Sequence, residues 1–348
     1  MRNKRKAEHL SLAMNTADGP ASSGFEDVYL LQDSVPDLNL EEMDLRIDFL
    51  GKKIRYPLLI NALTGGPDQA KNINRILASM ANKFGLAMAV GSMTIAMEEP
   101  ALRDSFTIVR EMNPDGIILA NLGANSSYHQ ACEAVKMIEA DGLQLHFNVP
   151  QELAMGEGDR NFRGIIDNVS RIVDACPVPV IAKEVGFGFS QETVAKLFAA
   201  GVRIFDNGGK GGTNFLAIED KRQGMFEHQL DHWGIPTAVS LAEIAAMQLP
   251  VRIVASGGIR TAAEIAKAIA MGADMVGISG LFLRILLNEG QDELDRRIES
   301  LLYQLQSVFL MSGARDCSMI RTKPVLILGK TAEWLRARNI DPGIWSNK

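Results

Sequence analysis

The sequence predicts a single-domain (β/α)8 TIM barrel spanning residues 1–348, with an N-terminal arm and an insertion between its sixth and seventh strands. Three observations lead there. The 348 residues exceed a usual two-layer domain but suit one barrel of about 250 residues plus insertions. Short β-branched or aliphatic runs recur eight times, each followed by a Gly, Asn or Ser turn. Helix-patterned stretches such as QETVAKLFAAG and TAAEIAKAIAMGA separate them, and that alternation implies right-handed crossovers and a parallel sheet. Eight units favour closure over a doubly wound open sheet, and no GxGxxG follows an early strand.

The strands centre on Leu59, Ala89, Ile118, Leu145, Ile181, Ile204, Val254 and Val276. Two regions fall outside the regular alternation: the polar arm of residues 1–54 and the long connection of residues 213–240. Both are expected to cover the mouth of the barrel.

Composition narrows the function classes. Hydrophobic residues make up 47% and charged residues 22%, so the chain can bury a large core, which argues against disorder. The three cysteines, Cys132, Cys176 and Cys317, form no CxxC pair, which argues against a disulfide framework or zinc cluster and fits a reducing cytoplasm. The net charge of −6, with one dense basic run at Arg2, Lys4, Arg5 and Lys6, makes nucleic acid a poor partner. The stretch SLAMNTADGPASSG after that run is turn-like rather than apolar, so the start does not read as a signal peptide, and no run is long enough to cross a bilayer.

In such a barrel the chemistry sits at the C-terminal ends of the strands. Strand seven ends in Ser256, Gly257, Gly258, Ile259 and Arg260, and strand eight in Gly277, Ile278, Ser279 and Gly280. Glycines let backbone approach an anion, and helix N-termini supply amides and a favourable dipole, so this pair of loops suits a phosphate better than a plain βα turn. Strand six closes on Asp206, Asn207, Gly208, Gly209, Lys210, Gly211, Gly212 and Thr213, a loop expected to lie against a flat ligand.

Strand five carries Lys183 and Glu184 on opposite faces, and one of the two must point inward. An inward Lys183 either stabilises negative charge on a bound ring or pairs with a carboxylate. Strand four places Gln144, His146 and Asn148 on one face, toward the axis, with Gln151 and Glu152 just beyond. A lone histidine is usually structural; this one has polar company. Strand ends one to three offer Asn61, Ala62, Leu63, Thr64, Gly91, Ser92, Asn121 and Gly123.

Taken in order, these motifs resemble the FMN-dependent type 2 isopentenyl-diphosphate isomerases, from Arg5 to roughly Ile327. Arg5, Lys6 and His9 are similar to that family's RKxxH arm, and LTGG, AVGS, ANLG, HxNxxQE, KEVGFG, GGTNF and SGGI occur at successive strand ends. The resemblance implies that Ala62, Leu63, Thr64, Ser92, Asn121, Lys183, Gly208 and Thr213 contact FMN, and that Gly257, Gly258, Ile259, Ser279 and Gly280 hold its phosphate. It implies too that Arg5, Lys6, His9, His146, Asn148 and Gln151 bind the substrate, with Gln151 and His146 nearest the chemistry and Glu152 helping to hold Mg²⁺. Two positions depart from the pattern: many relatives have Met at Leu63, and several have Ser at Gly208.

The implied reaction moves the double bond of isopentenyl diphosphate to give dimethylallyl diphosphate. No carbonyl acidifies the substrate's C–H bonds, so alkene protonation followed by allylic proton loss is the expected route, with reduced FMN as proton shuttle and NADPH or another reductant keeping it reduced. Family analogy suggests a homotetramer or larger homo-oligomer. The rival readings are an FMN-dependent 2-hydroxyacid oxidase, for which no histidine precedes Ser256, and a non-catalytic flavin-binding barrel.

Overall fold

The computed structural model describes residues 22–66 and 68–348. Eight parallel strands close into a barrel: strand one, Leu58–Ile60; two, Ala87–Ala89; three, Ile118–Gly123; four, Gly142–Phe147; five, Val180–Glu184; six, Ile204–Asp206; seven, Arg252–Ser256; eight, Met275–Ile278. Each neighbours its sequence successor, and strand eight closes on strand one through the pairs Val276 with Leu58 and Ile278 with Ile60. All eight centres read from the sequence lie within these strands.

Alternation sorts the strand residues into two populations. Leu59, Ala87, Ala89, Leu119, Ile181, Ile204, Val254 and Met275 pack together as an apolar layer across the axis, whereas Leu58, Ile60, Met88, Leu143, Leu145, Ala182, Phe205 and Val276 join the larger core beneath the helices. Each fully buried aliphatic side chain contributes about 1.5–3 kcal/mol. The helices start where the sequence supplies caps: Ser127 with Gln130 and Thr261 with Glu264 form reciprocal capping boxes, and Ser190 accepts from the Thr193 amide.

The segment before strand one does not all lie at the mouth. Strands Ile47–Phe49 and Lys52–Ile54 form an antiparallel hairpin whose Phe49 and Ile54 pack on the apolar layer of the axis. Lys52 donates to the carbonyls of Asp115 and Gly116 and pairs with Asp141, and the guanidinium of Arg252 donates to the Asp48 carbonyl. Those partners precede or begin strands three, four and seven, so the hairpin seals the N-terminal end. The expectation that the arm covers the mouth is thereby corrected for these residues. The physical reason is simple: Ile47, Phe49 and Ile54 are an apolar set that only the open bottom of the barrel can bury.

The long connection after strand six behaves differently. It carries helix Phe215–Gln223, whose Leu216 packs with Ala154 and Phe187 beyond strands four and five. Helix Thr237–Ala246 then resumes the regular alternation.

Candidate active site

One step along the strands from the apolar layer, the axis turns polar. Asn61, Asn121, Gln144, Lys183, Asp206 and Ser256 stand two residues beyond Leu59, Leu119, Gly142, Ile181, Ile204 and Val254, and all six are buried. Asp206 is their hub. Its Oδ2 accepts from Lys183 Nζ at 2.8 Å, Asn61 Nδ2 at 2.7 Å and Gln144 Nε2 at 3.3 Å; its Oδ1 accepts from the Ser256 hydroxyl and from the Gly208 amide at 3.3 Å. A buried ammonium persists where a carboxylate and well-placed acceptors replace its water. Strand eight has Gly277 at this level, and a Cβ there would lie 2.5 Å from Asn61 Nδ2.

Lys183 points inward, and its partner is Asp206. Glu184 is buried as well, on the opposite face. Burial pushes its carboxyl up to about 8, although the amides of Phe187 at 2.5 Å and Gly188 at 3.1 Å donate to it. With the Gly208 carbonyl, which accepts from the Gly186 and Gly188 amides, Glu184 shapes the turn that carries Phe187.

From the hub the hydrogen bonds run to strand four. Gln144 Nε2 also donates to Asn61 at 3.0 Å, Asn121 Nδ2 donates to Gln144 Oε1 at 2.9 Å, and His146 Nδ1 lies 2.8 Å from Asn121 Oδ1. Past strand four, helix Val149–Ala154 brings Gln151 and Glu152 to the same corner. Asn148 Nδ2 donates to Glu152 Oε1 at 2.8 Å, and the Asp159 amide donates to Oε2 at 2.9 Å. Gln151 Nε2 donates to Glu219 Oε1 at 3.3 Å, and the fully buried Glu219 pairs with Arg222. The Phe187, Ala154 and Leu216 cluster locks this corner to the inserted helix.

On the far side, the glycine loops after strands six and seven meet backbone to backbone. A Cβ on Gly212 would lie 2.8 Å from the Gly258 amide, and one on Gly258, whose φ is +74°, would strike the Gly211 carbonyl. Arg260 spans the two loops, donating to the carbonyls of Gly258 at 2.6 Å and Gly211 at 2.8 Å. Next to them the ten-residue helix Gly280–Glu289 starts at the end of strand eight, and Ser279 makes no side-chain cap bond to it. No cap side chain competes for its first-turn amides, the kind of group that receives an anion. The Arg284 guanidinium comes close to Gly280, 3.2 Å from where a Cβ would stand.

The other residues expected at the site are distributed around this frame. Ala62, Leu63, Ser92 and Thr213 are half-buried at the strand ends, and Thr64 is buried with its carbonyl accepting from the Gly91 amide. Ile259 places its side chain in the core, which leaves only its backbone for a phosphate. Gly208, at φ +42°, sits directly on the Glu184 carbonyl with no room for a Cβ. Arg5, Lys6 and His9 lie outside the described residues.

Sequence reading did not single out Asp206, Gln144, Glu184 or Glu219 as site residues, nor Arg284, whose signal is its position one helical turn after Gly280. Among the described residues, Asp220, His228 and Asp231 also bring ligand-type atoms within 4.8 Å of one another. The Asp220 oxygens of that group already accept from the amides of Phe226 and His228.

Comparison with known proteins now adds to the geometry. Over 337 residues, covering 97% of both chains, this chain is 49% identical to an isopentenyl-diphosphate delta-isomerase of Moorella thermoacetica. It is 44% identical to that of Symbiobacterium thermophilum, covering 98% of this chain and 97% of the relative. The chain belongs to the isopentenyl-diphosphate delta-isomerase family. Residues 151–326 of this family member also match the FMN-dependent dehydrogenase family. Its barrel superposes on a lactate oxidase of Pediococcus acidilactici with a TM-score of 0.69 at 17% identity, covering 94% and 93% of the two chains. A mandelate oxidase variant with an FMN adduct gives 0.67 at 16%, covering 90% and 95%. At such identities the likeness to oxidases is one of fold.

Proposed function

We propose that this protein interconverts isopentenyl diphosphate and dimethylallyl diphosphate at the mouth of the barrel, on reduced FMN and with Mg²⁺ at the diphosphate. The observation that carries the reading is the convergence of His146, Asn148, Gln151 and Glu152 on one corner of a rim whose floor is the Lys183–Asp206 pair. Relatives that cover almost the whole chain and carry the isomerase name agree with it.

The residues present fit FMN. Gly257, Gly258, Ser279 and Gly280 make a backbone cradle that side chains would fill, with Arg260 and Arg284 beside it to balance phosphate charge. Ala62, Leu63, Thr64, Ser92, Asn121 and Thr213 line the strand ends toward the ring position, and Gly208 contributes through the backbone alone. When bound and reduced, FMN supplies ring nitrogens that carry exchangeable protons. Lys183 stabilises negative charge on that ring, because its ammonium is compact and shielded from water.

The chain's own task is to hold the substrate still and dry. Gln151 is oriented by Glu219, Asn148 by Glu152, and His146 by Asn121. The apolar cluster of Phe187, Ala154 and Leu216 backs this corner and keeps water from a cationic transition state. Glu152 offers the carboxylate for Mg²⁺, which takes few protein ligands and keeps substrate oxygens and water in its shell. Arg5, Lys6 and His9 donate to the diphosphate. NADPH or another reductant keeps FMN reduced, and the working form is a cytoplasmic homotetramer or larger homo-oligomer. Among the described residues no helix is long and apolar enough to cross a membrane.

The test is anaerobic incubation of the yellow protein with Mg²⁺, reduced FMN and isopentenyl diphosphate. Dimethylallyl diphosphate is the expected product, and lactate or glycolate should not bleach the oxidised flavin. A protein that refuses FMN, or one that is bleached by hydroxy acids and leaves isopentenyl diphosphate untouched, overturns the proposal.

A further inference from the structure

We infer that Asp206, a residue on strand six, dictates which ring nitrogen of His146 on strand four carries the proton, through a one-way chain of two amides. The argument begins with what each group can do. An ionised carboxylate only accepts hydrogen bonds. Gln144 reaches Asp206 Oδ2 at 3.3 Å and Asn61 Oδ1 at 3.0 Å with the same amide end, and that end must be the Nε2 group. Asn61 cannot reverse this, because its own Nδ2 is donated to Asp206 at 2.7 Å and its Oδ1 accepts from the Ala62 amide at 2.9 Å.

Gln144 Oε1 is thereby left facing Asn121, whose near atom, 2.9 Å away, must be a donor. Asn121 Oδ1 then faces His146 Nδ1 at 2.8 Å, and an acceptor there requires a proton on Nδ1. Gln144 is wholly buried and Asn121 nearly so, so bulk water does not reach either amide to compensate a turned one. Turning Gln144 over would set its Oε1 against the Asp206 carboxylate and Asn61 Oδ1, and turning Asn121 alone would set two amide oxygens against each other. An unsatisfied buried polar group costs about 1–3 kcal/mol.

Neutral His146 is therefore the Nδ1–H tautomer. Its Nε2, beside Gly123 at the end of strand three, is the lone-pair nitrogen. Resting on the reading that His146 meets the substrate, this makes it an acceptor at the mouth, and it becomes a donor to a diphosphate only after binding a second proton at Nε2. Asp206 is thus a positioning residue for two functional side chains at once: the ammonium of Lys183 directly, and the imidazole of His146 through Gln144 and Asn121.

Neutron diffraction from deuterated, FMN-loaded crystals without substrate, grown about two units above the ordinary histidine value of about 6.5, tests this without reference to turnover. Deuterium is expected on Nδ1 of His146 and absent from Nε2, with two deuterons on the Gln144 atom facing Asp206. Deuterium on Nε2 with a bare Nδ1 overturns the inference, whatever substrate the protein proves to use. In solution, imidazole ¹⁵N shifts of the same holoprotein, with the His146 signal identified by its loss in His146→Gln, should show one tautomer. Gln144→Met, which is close in volume and cannot relay direction, should give a mixed tautomer. A Gln144→Met protein that binds FMN and still shows pure Nδ1–H histidine also overturns it.

Discussion

Replacing Asp206 with Asn keeps the shape of the hub and removes its charge. Five donors converge on the carboxylate, and one of them is an ammonium whose side chain is 8% exposed. A carboxamide can offer one oxygen only, so at least one donor must face an N–H, and Lys183 must either stay charged without a counter-ion or give up its proton. Breaking a buried pair from one side costs about 3–5 kcal/mol. Lys183→Met leaves Asp206 with four donors and should cost less. In the double variant the stranded charge is gone, so its loss should fall short of the sum of the single losses by about 2 kcal/mol. Urea unfolding of FMN-free protein, followed by circular dichroism and checked for unchanged slopes, measures all three. A loss below about 1 kcal/mol for Asp206→Asn, or additivity within about 0.5 kcal/mol, would refute the view of Asp206 as the charge centre of the barrel axis.

Gly258→Ala puts a methyl group against the Gly211 carbonyl at a φ of +74°, so the two phosphate loops must part and FMN affinity should drop at least tenfold, or about 1.4 kcal/mol, in a flavin-fluorescence titration; a wild-type Kd would remove the cradle. Glu184 holds its proton to about 8 in the folded chain, whereas an unfolded glutamate releases it near 4.5, so its contribution to stability is complete below 4.5, declines as pH rises and levels off above about 8. Glu184→Gln should flatten that decline, and parallel urea midpoints for the two proteins between pH 5 and 8 would contradict the burial argument. Glu152→Gln should leave the protein yellow while weakening its metal dependence and turnover, which Mg²⁺ titrations of the initial rate will show; unchanged kinetics would move the metal elsewhere.

Much of the barrel was legible because its signals are local. The period-two pattern of Leu143 to Asn148 placed three polar side chains toward the axis, and Gln144 and His146 do join the network there. Asp206 was harder to see. The eye groups it with the glycines next to it, yet it stands two residues after Ile204 and so shares its inward direction. The rule that allots Lys183 and Glu184 one inward and one outward position holds, but it gave no sign that the outward carboxyl is buried too, satisfied by the amides of its own turn. Glu219 gave no signal at all, because its place beside Gln151 depends on how an inserted helix packs on another loop, a contact 68 residues apart along the chain. The hairpin of residues 47–54 was misplaced for a related reason. Sequence shows that it is apolar on one face without showing which end of the barrel lacks a cover.

That hairpin imposes an order on the life of the molecule. Its anchoring partners lie at residues 115, 116, 141 and 252, so a ribosome releases the stopper long before it has made the last of the rim it must fit. Contacts so distant along the chain form slowly. The early residues must stay available until strand seven arrives, and the oily shaft of the barrel is wet until they dock. An unfinished or truncated chain is therefore one with an open base, and its weakness would show as sticking to other chains well before any loss of chemistry at the opposite end.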